Sequence, residues 1–535
     1  MTLFSVPFLI LIVCGLILFY AIPKRFQWVV LLIMSIVFYY AAGGVKAGLF
    51  ITVTILTTYY AALYLERLTE EQKTALKGGG EPLSKEEKNR IKDTYAKRRK
   101  RVFVLTMVFN FGILAVLKYA NFTLLNINGL LRLTGSGRQF APLGLILPLG
   151  ISFYTFQMTG YLMDVSKGRE KADRNLFQYA LFASYFPQII QGPISKHQEL
   201  AGQLFGEHEF DEMTFRTSVL RMLWGYFKKM VIAENAAIIA TEVISNFEVN
   251  NYKGFTVFVG LLFYGFQMYA DFSGGIDIVL GISGLFGITL TENFKAPYMS
   301  RTVSEFWQRW HMSLGRWMKD YLFYPIALSK PFSRFTKKAK KRIGSYYGKI
   351  LPSTIASFIV FVIVGIWHGA AWRYVAFGVF HATLTSLDSL LEKVSADTRA
   401  FLHIDGESLG WRLFQMARTL FLITMGRYFD CTDGLKVSFR LFKATFTSFN
   451  PQVFLNGTFY KLGLTEKDFR FTMYTIVVLL VIDILNERGI VVREIAAKQG
   501  IVFRYAFYLL AIFMILIFGS YGPGYNAASF IYQGI

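Results

Sequence analysis

Cysteine is nearly absent from these 535 residues: Cys14 lies inside an apolar run and Cys431 in a distant polar connection, which excludes a disulfide framework and a cysteine-held metal. No GxSxG elbow or obvious Ser/His/Asp arrangement occurs, so a covalent enzyme intermediate is not indicated. No internal repeat of the transporter kind is found. No basic residue precedes the first apolar run, Leu3 to Ile22, which Lys24 and Arg25 follow, so it reads as an uncleaved span rather than a signal peptide. Acidic residues are scarce, 35 Asp and Glu against 57 Lys and Arg, for a net charge of +22. The cations sit in short segments between apolar runs, as the positive-inside rule describes, so no nucleic-acid partner is expected.

What is abundant is hydrocarbon. Hydrophobic residues make up 54% and aromatics 17% of the chain, and the mean hydropathy is +0.40. These values predict an all-α polytopic membrane protein. Spans are expected near 3–22, 27–43, 46–65, 102–120, 141–165, 216–245, 254–272, 350–367, 372–392, 411–427, 470–486 and 503–521, about twelve at roughly 20 residues each. Shorter apolar pieces at 176–192, 275–290 and 304–326 are interrupted by Pro, Gly or charge and predict re-entrant or broken helices. Alternate crossing then places Lys24 and Arg25, Arg67 to Arg101, Lys167 to Arg174, Lys330 to Lys349 and Arg488 to Arg504 on the cytoplasmic side of the plasma membrane, with both termini outside. In the cytoplasmic loop 66–101, GGGEPLS at Gly78 to Ser84 predicts a helical hairpin broken at a Gly/Pro turn. Its arm Lys97 to Arg101 is a topological anchor or a contact for anionic membrane lipid. The outer connection 428–469 offers a partner surface.

Ionisable side chains at membrane depth are costly and mark functional sites by default, which draws attention to the histidines. Of six, His197 and His208 lie among Glu199, Glu207 and Glu209, and His403 lies beside Asp405, all in polar connections expected to face solvent. His381, mid-span, either lines a cavity or, as such residues more often do, sits in the interior hydrogen-bonded to a neighbour. His311 and His368 remain. His311 sits in SEFWQRWHMSLGRWMKDYLFY, where a helix would put Trp310, Leu314 and Trp317 on one side and Glu305, Arg309 and Arg316 on the others. That pattern suits a protein-lined cleft or an interfacial amphipathic helix. His368 follows an apolar run and precedes Gly369, Ala370 and Ala371, small enough for backbone or a substrate to approach. A neutral imidazole there suits a general base, removing a proton from a hydroxyl as it attacks a thioester; the alternative is a histidine bonded to a neighbouring helix. Neither histidine has HxxxH, HExxH or carboxylate-pair company, so no metal is expected.

Five collinear stretches carry a family resemblance: LPLGISFYTFQMTGYLMDV (Leu147 to Val165), YFPQIIQGPISK (Tyr185 to Lys196), YADFSGGIDIVLGISGLFG (Tyr269 to Gly287), ENFKAPYMSRTVSEFWQRWHMSLGRWMKDYLFYP (Glu292 to Pro325) and GIWHGAAW (Gly365 to Trp372). Together with the ending FIYQGI they resemble the bacterial membrane-bound O-acyltransferases. Within that family the chain is more similar to the alginate O-acetylation membrane subunits than to the teichoic acid D-alanyl transferases, through FPQ before GPI, DFSG-x-x-D, DYLFYP and its length. It departs from the pattern at Gly275, where tyrosine is common, and around Arg427 (GRYFDCTDG), where an apolar-FRA stretch is more typical.

The resemblance implies a ring of membrane helices around a thinned central tunnel, in one membrane domain over 1–535. Its parts would be N-terminal spans (1–140), an acyltransferase core (141–392) and C-terminal spans (393–535). It places the active-site histidine on His368 and the second histidine on His311, with Asp271, Ser273, Asn293, Trp307, Arg309, Arg316 and Trp367 shaping the tunnel or holding the donor. No cofactor would be bound; the acyl donor would be acetyl-CoA or another acyl thioester, or, for D-alanine, a phosphopantetheine carrier protein. An exported SGNH or esterase-like acyltransferase partner would finish the O-acetylation of a cell-wall or exported polysaccharide. A transporter with a proton path through the buried His, Asp271 and Asp277 is the reading from another class.

Overall fold

The structure is a computed structural model that describes residues 1–77 and 83–521. Among these residues every regular element is helical, apart from an isolated bridge between Phe294 and Trp310. The Gly/Pro part of the expected hairpin turn and the ending FIYQGI lie outside the described residues.

The helices pack as two compact units, one formed by residues 1–215 with Ile282–Leu290, the other by Arg216–Gly281 and the chain from Thr291 onward. The first contains α1 (Val6–Ala21), α2 (Gln27–Lys77), α3 (Lys85–Leu133), α4 (Ile151–Ser166), α5 (Leu176–Ser184), α6 (Gln188–Gln191) and α7 (His197–Phe205). Helix α2 carries the expected spans 27–43 and 46–65 as two legs, because Gly44 at φ 72° kinks it between them. The charged arms of loop 66–101 extend α2 and α3. Helix α3 starts on a capping box: Ser84 Oγ accepts from Glu87 N at 3.2 Å, and Ser84 N donates to the Glu87 carboxylate at 2.9 Å. The piece 176–192 is broken, as expected, between α5 and α6 at Tyr185–Pro187. Of the expected span 141–165 only 151–165 is helical, in α4.

His197 corrects the expectation of a solvent-facing residue. It is buried at the start of α7, with the Tyr161 ring tilted against it at 4.7 Å and the Phe182 ring edge-on at 4.6 Å. One ring nitrogen is hydrogen-bonded to Glu170, and the other lies 2.6 Å from Asp173. Burial alone would lower its pKa, but the bonds to Asp173 and Glu170 outweigh it and raise it to about 9. The ring is therefore an imidazolium at neutral pH.

The second unit takes α8 (Glu212–Phe227) from Arg216 onward, followed by α9 (Glu234–Asn246), most of α10 (Phe255–Leu285), α11 (Val303–Arg309), α12 (Met312–Met318), α13 (Tyr324–Ala327) and α14 (Lys330–His368). After these come α15 (Trp372–Phe401), α16 (Leu409–Asp430), α17 (Leu435–Phe446), α18 (Glu466–Glu487), α19 (Val492–Ala497) and α20 (Ile501–Phe518). The expected span 216–245 is divided by a π-helical turn, Lys228–Ala233. The span 254–272 and the piece 275–290 join in one 31-residue helix, α10. Its glycines do not break it because they admit another backbone: a Cβ on Gly274 would lie 2.9 Å from Gly225 O, and one on Gly281 2.8 Å from Ser218 O. Among the described residues five helical segments, Lys24–Lys77, Lys85–Leu133, Phe255–Leu285, Lys330–His368 and Ile501–Phe518, are long and apolar enough to cross a membrane. These are fewer than the expected spans: several of those fall on helices shorter than a crossing or share one helix, and α15, α16 and α18, at 30, 22 and 22 residues, are long enough but not apolar enough.

Candidate functional site

The second unit positions His311 with a break in the backbone. Helix α11 ends at Arg309 and α12 begins at Met312, and His311 between them is left-handed at φ 49°, ψ 52°. The continuous helix through Trp310 and Trp317 considered from the sequence does not form. The chain at 293–295 pairs antiparallel with the break instead: Lys295 N donates to Arg309 O, and Met312 N to Asn293 O, both at 3.0 Å. A non-glycine residue held in this region costs roughly 1–3 kcal/mol and needs such over-determined surroundings. Asn293 registers the ring as well. Its Oδ1 accepts from Ser313 N at 2.9 Å and lies 3.3 Å from His311 Nδ1. An oxygen already accepting there requires Nδ1 to donate, leaving Nε2 as the basic nitrogen of a neutral ring. His311 is 3% exposed, with the Phe272 ring set edge-on at 4.8 Å.

His368, 7% exposed, is the last residue of α14. Its helix meets α15 at two glycines: a Cβ on Gly365 would lie 2.4 Å from Tyr374 O, and one on Gly378 2.7 Å from Phe361 O. The Tyr374 ring fills the space beside Gly369, within 2.1 Å of a Cβ there. The Trp367 indole connects the two candidates, 5.0 Å from the His368 ring and 6.3 Å from that of His311. Beyond it, Phe377 lies 5.5 Å from His368 and 4.5 Å from His381, which in turn meets Trp307 at 4.9 Å. His381 is buried, but its Nδ1 has no hydrogen-bond partner among the described residues, so aromatic rings rather than the expected hydrogen bond hold it at that nitrogen. Three histidines and two tryptophans thus form one aromatic cluster.

The polar candidates divide around this cluster. Asp271 and Ser273 flank Phe272 but engage lysines: Lys229 Nζ lies 2.5 Å from Asp271 and 2.7 Å from Glu234. Lys228 Nζ donates to Ser273 Oγ at 2.9 Å and lies 2.6 Å from Asp277, which also meets Arg221 at 2.9 Å. Arg309 turns away from His311 to Glu305 at 2.7 Å and Glu487 at 2.8 Å, and Arg316 donates to Thr291 at 3.3 Å.

Sequence reasoning passed over Lys228 and Lys229, which are 4% and 3% exposed on the π turn. Two lysines inside an apolar span were the available signal. It also noted Arg427 only as a departure from pattern. That guanidinium lies 5.3 Å over the Trp310 ring and 2.9 Å from Asp430. Among the described residues no group of three or more His, Cys, Asp or Glu is placed to hold a metal ion. The arrangement offers buried imidazoles in an aromatic cluster, a setting in which a histidine can exchange a proton with a hydroxyl.

Comparisons with known proteins converge on this region. The sequence profile of the membrane-bound O-acyltransferase family matches residues 169–340, which include His311 and end before His368. The probable alginate O-acetylase of Pseudomonas syringae pv. tomato is 31% identical over 353 residues, 66% of this chain and 61% of the relative. The peptidoglycan O-acetyltransferase of Helicobacter pylori is 30% identical over 408 residues, 71% of this chain and 67% of the relative. The teichoic acid D-alanyltransferase of Bacillus subtilis is 30% identical over 261 residues, 47% of this chain and 61% of the relative. The chain therefore spans about three fifths of the length of the alginate O-acetylases it matches, 61% and 60% in the two Pseudomonas proteins of syringae and aeruginosa.

Proposed function

Because the chain belongs to the membrane-bound O-acyltransferase family, we propose that it moves an acyl group, acetyl foremost, from a cytoplasmic thioester toward a hydroxyl acceptor on an exported or cell-wall polysaccharide. The observation that carries this reading is the pair of buried imidazoles in contact with one indole, His311 and His368 on either ring contact of Trp367. In the proposed reaction the acceptor hydroxyl oxygen bonds to the thioester carbonyl carbon, its proton passes to His368, and the thiolate leaves and is reprotonated. His311, with Nδ1 committed to Asn293, would position the thioester or share the proton transfer through Nε2. Trp307 and Trp367 would wall the site, and Asp271, Ser273, Arg309 and Arg316 would hold the surrounding helices through their polar contacts. Acetyl-CoA is the proposed donor, drawn by the basic run Lys330 to Lys349 on the cytoplasmic face of the plasma membrane, with both termini outside. An exported SGNH or esterase-like acyltransferase is the proposed partner.

A second reading keeps the residues and changes the group: D-alanine arriving on the phosphopantetheine arm of a carrier protein. The similarity to the Bacillus subtilis D-alanyltransferase favours it, over a shorter stretch than the acetylase matches.

The test compares His368→Ala and His311→Ala in cells, measuring alkali-released acetate and D-alanine from the envelope with the protein level checked in membranes. Loss of a general base predicts a fall in ester of about 10²–10⁴-fold for His368→Ala. Wild-type ester from both variants at normal protein level overturns the assignment. A fall in D-alanine with acetate unchanged replaces the first reading with the second.

A further inference from the structure

Helix α20 is tied to the rest of the second unit near its middle and at its end. Near its middle Phe507 and Tyr508 pack on Leu220, Ala496 and Ala497. At its end Phe518 stacks on Phe471 at 4.1 Å, and Ser520 N donates to Met230 O at 3.0 Å. Between these ties Leu510, Ala511 and Met514, a stripe at helical spacing, wall a cavity of about 550 Å³ whose other side includes Trp224 and Ile482. That volume falls within the roughly 300–1,000 Å³ of ligand sites. The opposite face of α20 exposes Leu509, Phe513, Leu516 and Ile517. An apolar helix of this kind borders lipid, so the cavity lies one helix in from the bilayer.

Charge at the cavity is equal in number but not in pairing: Arg221, Lys228, Lys295 and Arg493 face Asp277, Glu292, Asp483 and Glu487. Asp277 is paired with Lys228 and Arg221, Glu292 with Arg221, and Glu487 with Arg309, while Asp483 accepts from the Tyr269 hydroxyl. Arg493 and Lys295, which also line the cavity, have no acid within ion-pair distance among the described residues. A hydrocarbon chamber whose wall carries a half-buried arginine without an ion-pair partner among the described residues suits an amphiphile with an anionic head.

We propose that this cavity holds one acyl chain of a membrane glycerophospholipid, with its phosphate on the Arg493 guanidinium. Arginine is the residue suited to this head group, because its planar fork meets phosphate oxygens in pairs. The lipid is a resident ligand apart from the proposed transfer reaction: neither His311 nor His368 lines the cavity, and of the residues expected to shape the tunnel or hold the donor only Ser273 does.

The test is native mass spectrometry of the full-length protein, released from mild detergent after incubation with phosphatidylglycerol. Wild type is expected to retain one lipid per chain. Ala511→Phe, which fills the chamber, and Arg493→Gln, which removes the head-group contact, are each expected to lower occupancy at least tenfold. Leu509→Phe, on the outer face of α20, is expected to leave it unchanged. Size-exclusion profiles report folding, and if Ala511→Phe does not fold, Arg493→Gln alone decides. Wild-type lipid retention by Arg493→Gln overturns the proposal, and so does displacement of the lipid from wild type by excess coenzyme A, which would assign the cavity to the acyl donor.

Discussion

Asn293 combines two tasks in one side chain, fixing the left-handed turn at His311 and holding the tautomer of its ring. Asn293→Ala leaves the buried Ser313 N–H without its acceptor, and a buried group stranded in this way costs about 1–3 kcal/mol. Thermal unfolding in detergent should record that loss and ester formation should drop at least tenfold, with Asn293→Asp, which keeps an acceptor, recovering part of both. Unchanged stability and ester in the alanine variant would remove Asn293 from the site. His197 gives a prediction in pH. Its folded pKa, near 9, lies above the ordinary histidine value of about 6.5, so its contribution is full below pH 6.5 and is lost as pH rises through 9. Unfolding temperature should therefore fall between those limits in wild type, and His197→Gln should flatten that part of the profile; an identical slope in the variant would refute the role. The burial of His311 and His368 was legible in the sequence because a histidine within a membrane-type apolar chain stands out. The true setting of His197 was not, because its acids lie 27 and 24 residues upstream, in another connection, while the glutamates near it in sequence suggested solvent.

At the scale of helices, backbone contact at glycine sets where His368 stands. Gly365 and Gly378 press α14 against α15, and any side chain there meets carbonyl or Cα atoms that cannot swing aside. Overpacking of this kind costs typically 1–3 kcal/mol, and against backbone more. Gly378→Leu should therefore destabilise the protein and shift the end of α14, cutting ester formation far more than Gly410→Leu, where a Cβ meets nothing within 4 Å. Equal activity of the two variants would show that the helix crossing does not position His368. The same contacts explain what the sequence concealed about the elements. Glycines in YADFSGGIDIVLG suggested an interruption near residue 275, whereas they serve close packing inside one unbroken helix. The fracture of 304–326 was legible from its mixture of charge and tryptophan. Its location at His311 was not, because the segment that fixes it, Asn293–Lys295, pairs with it from well upstream.

At the scale of the whole chain, the surplus of cations becomes a statement about orientation. On the twelve spans expected from the sequence, alternate crossing would put the five basic segments on one side, and each Lys or Arg forced to the centre of a span would cost about 2.5–3.5 kcal/mol on insertion scales. The proposed chemistry depends on this arrangement, since the thioester must arrive beside Lys330 to Lys349 and the acceptor must meet it from the opposite face. Single cysteines in a Cys14→Ser, Cys431→Ser background test it directly. Lys338 and Phe449 are both exposed, one in the basic run and one in the connection 428–469. A membrane-impermeant maleimide on intact cells whose envelope admits it should label Phe449→Cys at once and Lys338→Cys only after the membrane is opened. Labelling of Lys338→Cys from outside would reverse the orientation. It would also take the cytoplasmic donor with it while leaving the contacts of His311, Trp367 and His368 untouched, so topology and site can fail separately.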